Sequence, residues 1–271
     1  MKTFPVFFLA FLLFLSCQPA EKKQQQKQQQ KEELSREATR LRMGMMLTPE
    51  DPTGYLQLGE VYHEMGEYEQ AIEQFQEALA IDEENAQVHN ALGLVYVDMQ
   101  LTRPAIRAFQ KATELSSDNP AFLNNLAYAY DTADQFGEAI EAYRKAIEAD
   151  PTFQDAYFNL AGAYHARDQF QEAISYYRQA IALDETDPDA HYNLAHAYQE
   201  TEQVDLAIRA YEKSRSLNPE DTEVYYHLAR MYEKQGDRLT MKRYMDLFLE
   251  RATGLPQFQD EVEVAKQMLA Q

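Results

Sequence analysis

The chain has 271 residues, a formal net charge of −20 at pH 7, nine glycines and a single cysteine. An acidic excess of this size disfavours nucleic acid and anionic lipid headgroups as partners, because both repel a negative field. One cysteine excludes an intrachain disulfide, and the sequence contains no glycine-rich phosphate loop, zinc-protease motif or nucleophile elbow.

The first 16 residues have the pattern of a secretory signal peptide. Lys2 precedes a run of apolar residues that only Pro5 interrupts before Ser16. The run is too short for a typical membrane-spanning helix and has the length of a signal-peptide core. We therefore predict a signal peptide at 1–16.

The only cysteine, Cys17, stands where this apolar run ends. The segment Leu15-Ser16-Cys17 resembles the lipobox of bacterial lipoproteins, although Phe14 and Leu15 depart from the usual leucine and small residue. The resemblance implies that Cys17 is acylated and anchors the protein in the bacterial envelope. Gln18, the residue after this cysteine, resembles those of lipoproteins that are sent to the outer membrane. An ordinary signal peptide with an incidental cysteine, or an uncleaved anchor, remains the alternative.

A polar tether and one helix are predicted before residue 52. Residues 18–33 are almost wholly Gln, Lys and Glu, a composition that cannot bury a core. We predict a lipidated cysteine and solvated tether at 17–33. The apolar spacing of 34–51 predicts an amino-terminal helix that covers one end of the segment that follows.

From residue 52 to 255 the sequence repeats with a period of 34 residues. A leucine recurs six times, a small residue follows it directly, and a tyrosine comes four residues after it. The leucines are Leu58, Leu92, Leu126, Leu160, Leu194 and Leu228, and the tyrosines are Tyr62, Tyr96, Tyr130, Tyr164, Tyr198 and Tyr232. A spacing of four places both side chains on one face of a helix.

A second apolar pattern follows within five of the periods. It consists of an alanine, an aromatic residue four positions later and a small residue three positions further on, as in Ala71, Phe75 and Ala78. These spacings are typical of an amphipathic helix. Each period therefore encodes two helices, and a period of this length indicates a stacked array of small units.

These residues resemble the tetratricopeptide repeat, whose pattern joins L-G-x2-Y on a first helix to A-x3-F on a second. The resemblance implies an all-α fold, a right-handed α-solenoid of six tandem helix pairs with capping helices. The six repeats are 52–85, 86–119, 120–153, 154–187, 188–221 and 222–255. The sixth departs from the pattern with Met241, Met245 and Phe248, so we expect it to meet a carboxyl-terminal capping helix at 256–271.

In this family the first helices line a concave groove that binds peptides. Asn125, Asn159 and Asn193 directly precede three successive leucines, and such amides can grip an extended backbone. Amide pairing between helices is the alternative. The predicted peptide-binding residues are Asn90, Asn124, Asn125, Tyr128, Phe158, Asn159, Tyr192, Asn193, His196, Tyr226, His227 and Arg230. Aromatic residues among them serve as anchors or fill space between helices.

Three histidines form a further pattern. His165, His196 and His227 are each 31 residues apart, which places them diagonally across three neighbouring first helices. They are candidates for a transition-metal site, although histidines exposed on a groove are the commoner interpretation. We predict no catalytic residue, no bound metal and no cofactor.

The acidity is concentrated in the first five repeats. Residues 52–221 hold 10 Lys and Arg against 31 Asp and Glu, which favours protein partners that are basic or neutral, or simply reflects a solvated surface. The sequence therefore predicts a non-enzymatic scaffold of the envelope that binds proteins through its groove. The layout is also similar to that of type IV pilus pilotins, so a secretin or pilus assembly factor is the alternative, and a metal-binding protein is the least favoured one.

Overall fold

The computed structural model describes residues 28–270, and this part of the chain contains helices and turns but no β-strand. The predicted signal peptide and Cys17 lie outside the described residues. The chain divides into two compact units, one up to Ser116 and one from Ser117. None of the helices within 28–270 combines the length and the apolar character that crossing a membrane requires.

The described part of the first unit, residues 28–116, contains five helices: α1 (28–45), α2 (Pro52–Glu64), α3 (Tyr68–Ile81), α4 (Ala86–Asp98) and α5 (Thr102–Leu115). The second unit contains four helix pairs and a last helix: α6 (Pro120–Asp131), α7 (Phe136–Ala149), α8 (Gln154–His165), α9 (Phe170–Leu183), α10 (Pro188–Glu200), α11 (Val204–Leu217), α12 (Glu223–Gln235), α13 (Arg238–Ala252) and α14 (Gln259–Leu269). Each predicted repeat thus holds one pair of helices.

Helix α1 differs in extent from the predicted helix. Residues 28–33, which we expected in the tether, are helical and exposed, whereas residues 46–50 form turns. Gln, Lys and Glu have high helix propensity, so they extend a helix that apolar residues hold in place. Ala38 is buried in the core of the first unit, and Leu34 and Leu41 pack against that core, so α1 is held by the apolar residues of this unit.

Most of the periodic residues form the core of both units, whereas the periodic tyrosines Tyr96, Tyr130 and Tyr232 are only half-buried. The alanine that opens each second-helix pattern is completely buried in all five repeats that carry it. In the first unit, a Cβ atom on Gly59 or Gly93 would lie 2.4 Å from the ring of Phe75 or Phe109. Close contact between the two helices of these pairs therefore requires glycine. The later repeats have alanine at the glycine position and a tyrosine or methionine at the phenylalanine position.

The turn inside each helix pair contains one residue with a left-handed backbone. These residues also recur every 34 positions: Gly66, Gln100, Asp134, Asp168, Glu202 and Gly236, with φ between 58° and 86°. Only two of the six are glycines, although this conformation is disfavoured for side chains with a Cβ atom. The turn geometry is thus kept at some cost in free energy in four repeats.

The last helix pair ends in a cap, as predicted. Met245 and Phe248 of α13 are fully buried, and the ring of Phe248 meets that of Phe258 edge to face at 5.9 Å. Val262 and Ala265 of α14 belong to the same core. Helix α14 therefore covers apolar surface of the sixth repeat, as a capping element does.

Candidate functional site

The predicted binding residues, apart from Asn90, lie on the first helices α6, α8, α10 and α12 of the second unit. Helix α8 contacts both α6 and α10. We call the surface that these side chains form the first-helix face. It comprises Asn124, Asn125, Tyr128, Phe158, Asn159, Tyr192, Asn193, His196, Tyr226, His227 and Arg230. Asn90 lies on α4 of the first unit and is not part of it.

Two amides of this face bind each other. Nδ2 of Asn159 donates a hydrogen bond to Oδ1 of Asn124 over 3.0 Å, and Asn124 is buried. The pair joins α6 to α8, so at this place the structure has the helix-to-helix amide pairing that the sequence left open. Asn125 and Asn193 are half-buried, and their binding role stays a prediction.

Three aromatic residues of the face pack on rings of their own repeats. Phe158 meets Tyr177 edge to face at 5.8 Å, and Tyr192 meets Tyr211 in the same way at 5.6 Å. Tyr226 contacts Phe248 at 5.2 Å. These rings fill space between the first and second helix, while each also keeps part of its surface exposed.

The three histidines converge in a line. The ring centroid of His196 lies 5.2 Å from that of His165 and 5.6 Å from that of His227. Tyr211 stacks on His227 at 5.3 Å, and Tyr177 meets His165 edge to face at 6.2 Å. We call His165, His196 and His227 the histidine line.

Burial makes two members of the line weaker bases. Desolvation lowers the pKa of His165, against the attraction of Glu200 and Asp168. Desolvation also lowers the pKa of His196, and the neighbouring His227 and His165 lower it further. Both imidazoles are therefore held toward the neutral form at pH 7.

Two polar residues that sequence reasoning missed support the line. Oε1 of Gln199 accepts a hydrogen bond from the hydroxyl of Tyr211 over 3.2 Å and lies 3.3 Å from Nδ1 of His227. The carboxylate of Glu223 lies 3.7 Å from Nε2 of His227, which lowers the pKa of Glu223. Glu223 stands four residues before His227, a spacing that places both on one helix face.

Convergence of the histidines does not create a metal centre in this structure. Within residues 28–270, no group of three or more His, Cys, Asp and Glu side chains is arranged to hold a metal ion. The rings instead contact each other and their tyrosine neighbours, as aromatic side chains in a core do.

Two residues at the ends of the face have side chains that are substantially exposed. Tyr128 on α6 is 45% exposed. The side chain of Arg230 on α12 is 40% exposed, and it donates a hydrogen bond to the hydroxyl of Tyr226 over 3.2 Å. The ring of Tyr128 is therefore accessible to a partner, whereas the guanidinium of Arg230 already contacts Tyr226 and the carboxylate of Glu233, which lies 3.4 Å from its Nε.

Comparison with known families agrees with this architecture. Models described as TPR repeat match residues 59–100 and 162–202. Models described as tetratricopeptide repeat match 90–152, 142–175 and 188–221, so together the matches cover 59–221. The chain belongs to the tetratricopeptide repeat family. A search of curated protein sequences returns no significant match.

Solved tetratricopeptide repeat structures share the fold. A structure of PilF from Pseudomonas aeruginosa has a TM-score of 0.69 and 22% identity, covering 80% of this chain and 97% of that one. MamA has 31% identity and a TM-score of 0.55, covering 59% of this chain and 94% of its own. YrrB, described as a TPR protein with an unusual peptide-binding site, has 21% identity and a TM-score of 0.53, covering 68% and 95%.

These findings establish the fold class and the general role. The chain is an all-α protein of tandem tetratricopeptide helix pairs, and it is similar to solenoid proteins of that family. Tetratricopeptide arrays hold protein or peptide partners on extended surfaces built from their repeats. This tetratricopeptide protein is accordingly a scaffold for protein interactions.

Proposed function

We propose that the chain is a non-enzymatic lipoprotein of the bacterial envelope, anchored through Cys17, that binds an extended segment of a partner protein along the first-helix face. The observation that carries the binding part is the contrast between two sets of first-helix residues. Leu160 and Ala161 are fully buried, whereas Tyr128 and Arg230 keep large exposed fractions. Tyr128 is not needed for the core and is available for contact, and Arg230 could exchange its contacts with Glu233 and Tyr226 for those of a partner.

The partner we favour is a basic or neutral segment. The repeats carry a large acidic excess, which attracts positive charge and repels acidic peptides. The asparagines supply both donors and acceptors, which suits an extended backbone. Tyr128 and the exposed edges of Tyr192 and Tyr226 would accept apolar side chains of the segment.

Site-specific photo-cross-linking tests the binding face. A photo-reactive residue is introduced at Tyr128 or at Asn193 in the full-length protein in its native membranes. The matched control is Leu183, which is 41% exposed but lies on the second helix α9. We expect one shared adduct from positions 128 and 193 and none from 183. The same adduct from all three positions, or none from the first two, would contradict the proposed face.

Fractionation of a Cys17→Ala variant tests the anchor. Acylation of Cys17 would provide stable membrane attachment, and its loss should release the protein or leave it uncleaved. We expect the wild type in the membrane fraction with the mass of an acylated mature chain. A variant that stays in the membrane with the same mass as the wild type would exclude lipidation.

A pilotin-like role in assembly is the alternative proposal, and it is based on the layout of the sequence. The likeness to PilF is one of fold at 22% identity and does not carry the function of that protein to this chain. Deletion of the gene would distinguish the two roles: a pilotin-like factor is needed for assembly of an outer-membrane secretin, and an adaptor is not.

A further inference from the structure

We propose that the histidine line makes the first-helix face acid-sensitive. Uptake of protons by His165 and His196, whose rings lie in line with that of His227, would loosen the packing of α8, α10 and α12. Insofar as the proposed function holds, acidification would also weaken the binding of a segment on this face.

The first reason is the short distance between the rings. The centroids are separated by 5.2 Å and 5.6 Å. Neighbouring positive charges at such distances repel each other, and the repulsion is stronger where water is partly excluded. A second proton on the line is therefore opposed by the first.

The second reason is the absence of acceptors at two buried nitrogens. Nδ1 of His165 and Nδ1 of His196 are buried and have no hydrogen-bond partner among the described residues. A neutral imidazole can leave one nitrogen without hydrogen, but a protonated ring carries a hydrogen on both. Protonation would therefore bury an N–H group without an acceptor unless the surrounding helices move apart.

The charged and titratable groups around the line only partly offset these costs. They are Asp168 after α8, Tyr177 on α9, Tyr192 and Glu200 on α10, Tyr211 on α11, and Glu223, Tyr226 and Arg230 on α12. Glu223 lies beside His227 and also attracts positive charge to His196. Glu200 favours protons on His165 and His196, but burial outweighs this attraction at both residues.

The pH window follows from the direction of these shifts. Unfolded histidines titrate near about 6.5, and the pKa of His165 and of His196 in the folded protein lies below that value. As the pH falls below the unfolded value, the unfolded state takes up protons first, so stability is lost. Each unit by which a folded pKa is lowered corresponds to about a tenfold change in the folding equilibrium.

Hydrogen exchange on the full-length protein, without any partner, tests the proposal. Protection of backbone amides is compared between pH 7.5 and pH 5.5, after correction for the intrinsic exchange rate. We expect α8, α10 and α12 to lose protection by about tenfold more than α2 and α4 of the first unit. Equal changes in both units would overturn the proposal.

Replacement of one histidine by phenylalanine separates protonation from packing. The His196→Phe variant keeps an aromatic ring at this position and loses no side-chain hydrogen bond of Nδ1. The phenylalanine ring cannot take up a proton. We expect this variant to retain protection in α10 at pH 5.5, whereas His89→Gln in the first unit should behave like the wild type. If His196→Phe loses protection as the wild type does, protonation of the line is not the cause.

Imidazole NMR on the wild type gives a second measurement that needs no variant. We expect the signals of His165 and His196 to titrate below the ordinary histidine range and to respond to each other. Independent titrations at ordinary values would overturn the proposal even if a variant fails to fold. Because both measurements are made on the free protein, their failure leaves the cross-linking result, and with it the proposed binding face, unaffected.

Discussion

Asn159 donates from Nδ2 to Oδ1 of Asn124 over 3.0 Å and so ties the first helix of one repeat to that of the preceding repeat. The two residues are 35 positions apart, one more than the repeat period. Asn159 therefore serves the packing of α6 against α8 and has one amide N–H fewer for a partner. The binding role predicted for the asparagines rests more on Asn193, which is half-buried at the equivalent position of the next repeat.

Removal of the donor should cost stability. Asn159→Ala leaves the buried Oδ1 of Asn124 without its donor, which should lower the free energy of unfolding by about 1–3 kcal/mol in a urea titration. Asn193→Ala, at the equivalent position of the next repeat, should change it by less than about 0.5 kcal/mol. Equal losses from the two variants would show that the amide pair does not stabilise the fold.

Glycine at the helix-to-helix contact should be necessary. A Cβ atom at Gly93 would lie 2.4 Å from the ring of Phe109, so Gly93→Ala should overpack the contact and cost about 1–3 kcal/mol. Gly137 lies in α7 with no neighbouring atom within 4 Å of such a Cβ. Gly137→Ala should therefore be neutral or stabilise by up to about 1 kcal/mol, and thermal unfolding of both variants checks the contrast.

The left-handed turns offer a stabilising substitution. Glu202 has a φ of 58°, a conformation that glycine adopts without strain, so Glu202→Gly should raise the free energy of unfolding by about 0.5–1 kcal/mol. The reverse change, Gly236→Ala, should lower it by about 1 kcal/mol. A stabilising effect of Gly236→Ala in urea titrations would contradict the turn geometry.

The repeat pattern predicts the core well because burial and sequence share one period. The residues equivalent to Leu58, Ala71 and Phe75 are buried in every repeat that carries the pattern. Their spacing alone therefore assigns them to the facing surfaces of the two helices. Gly66 and Gly236 also indicate the turn in the sequence. Gln100 and Glu202 adopt the same left-handed backbone conformation, but their residue type does not indicate it.

Contacts between repeats were harder to predict than contacts within them. The pairing of Asn159 with Asn124, and not with a residue 34 positions away, depends on how α6 and α8 sit against each other. The histidine spacing of 31 suggested convergence, but whether the rings meet each other or a metal depends on distances that a sequence does not contain. The helical extent of 28–33 depends on α1 docking to the first unit.

The affinity of the cross-linked partner for the first-helix face tests the central claim most directly. Its dissociation constant is measured for the wild type, for the double variant Tyr128→Ala with Asn193→Ala, and for the control Leu183→Ala, with circular dichroism to confirm equal helicity. Loss of an exposed aromatic contact and of one amide hydrogen bond should weaken binding by roughly 10- to 100-fold, while the control should bind like the wild type. Unchanged affinity in the folded double variant would contradict binding at this face.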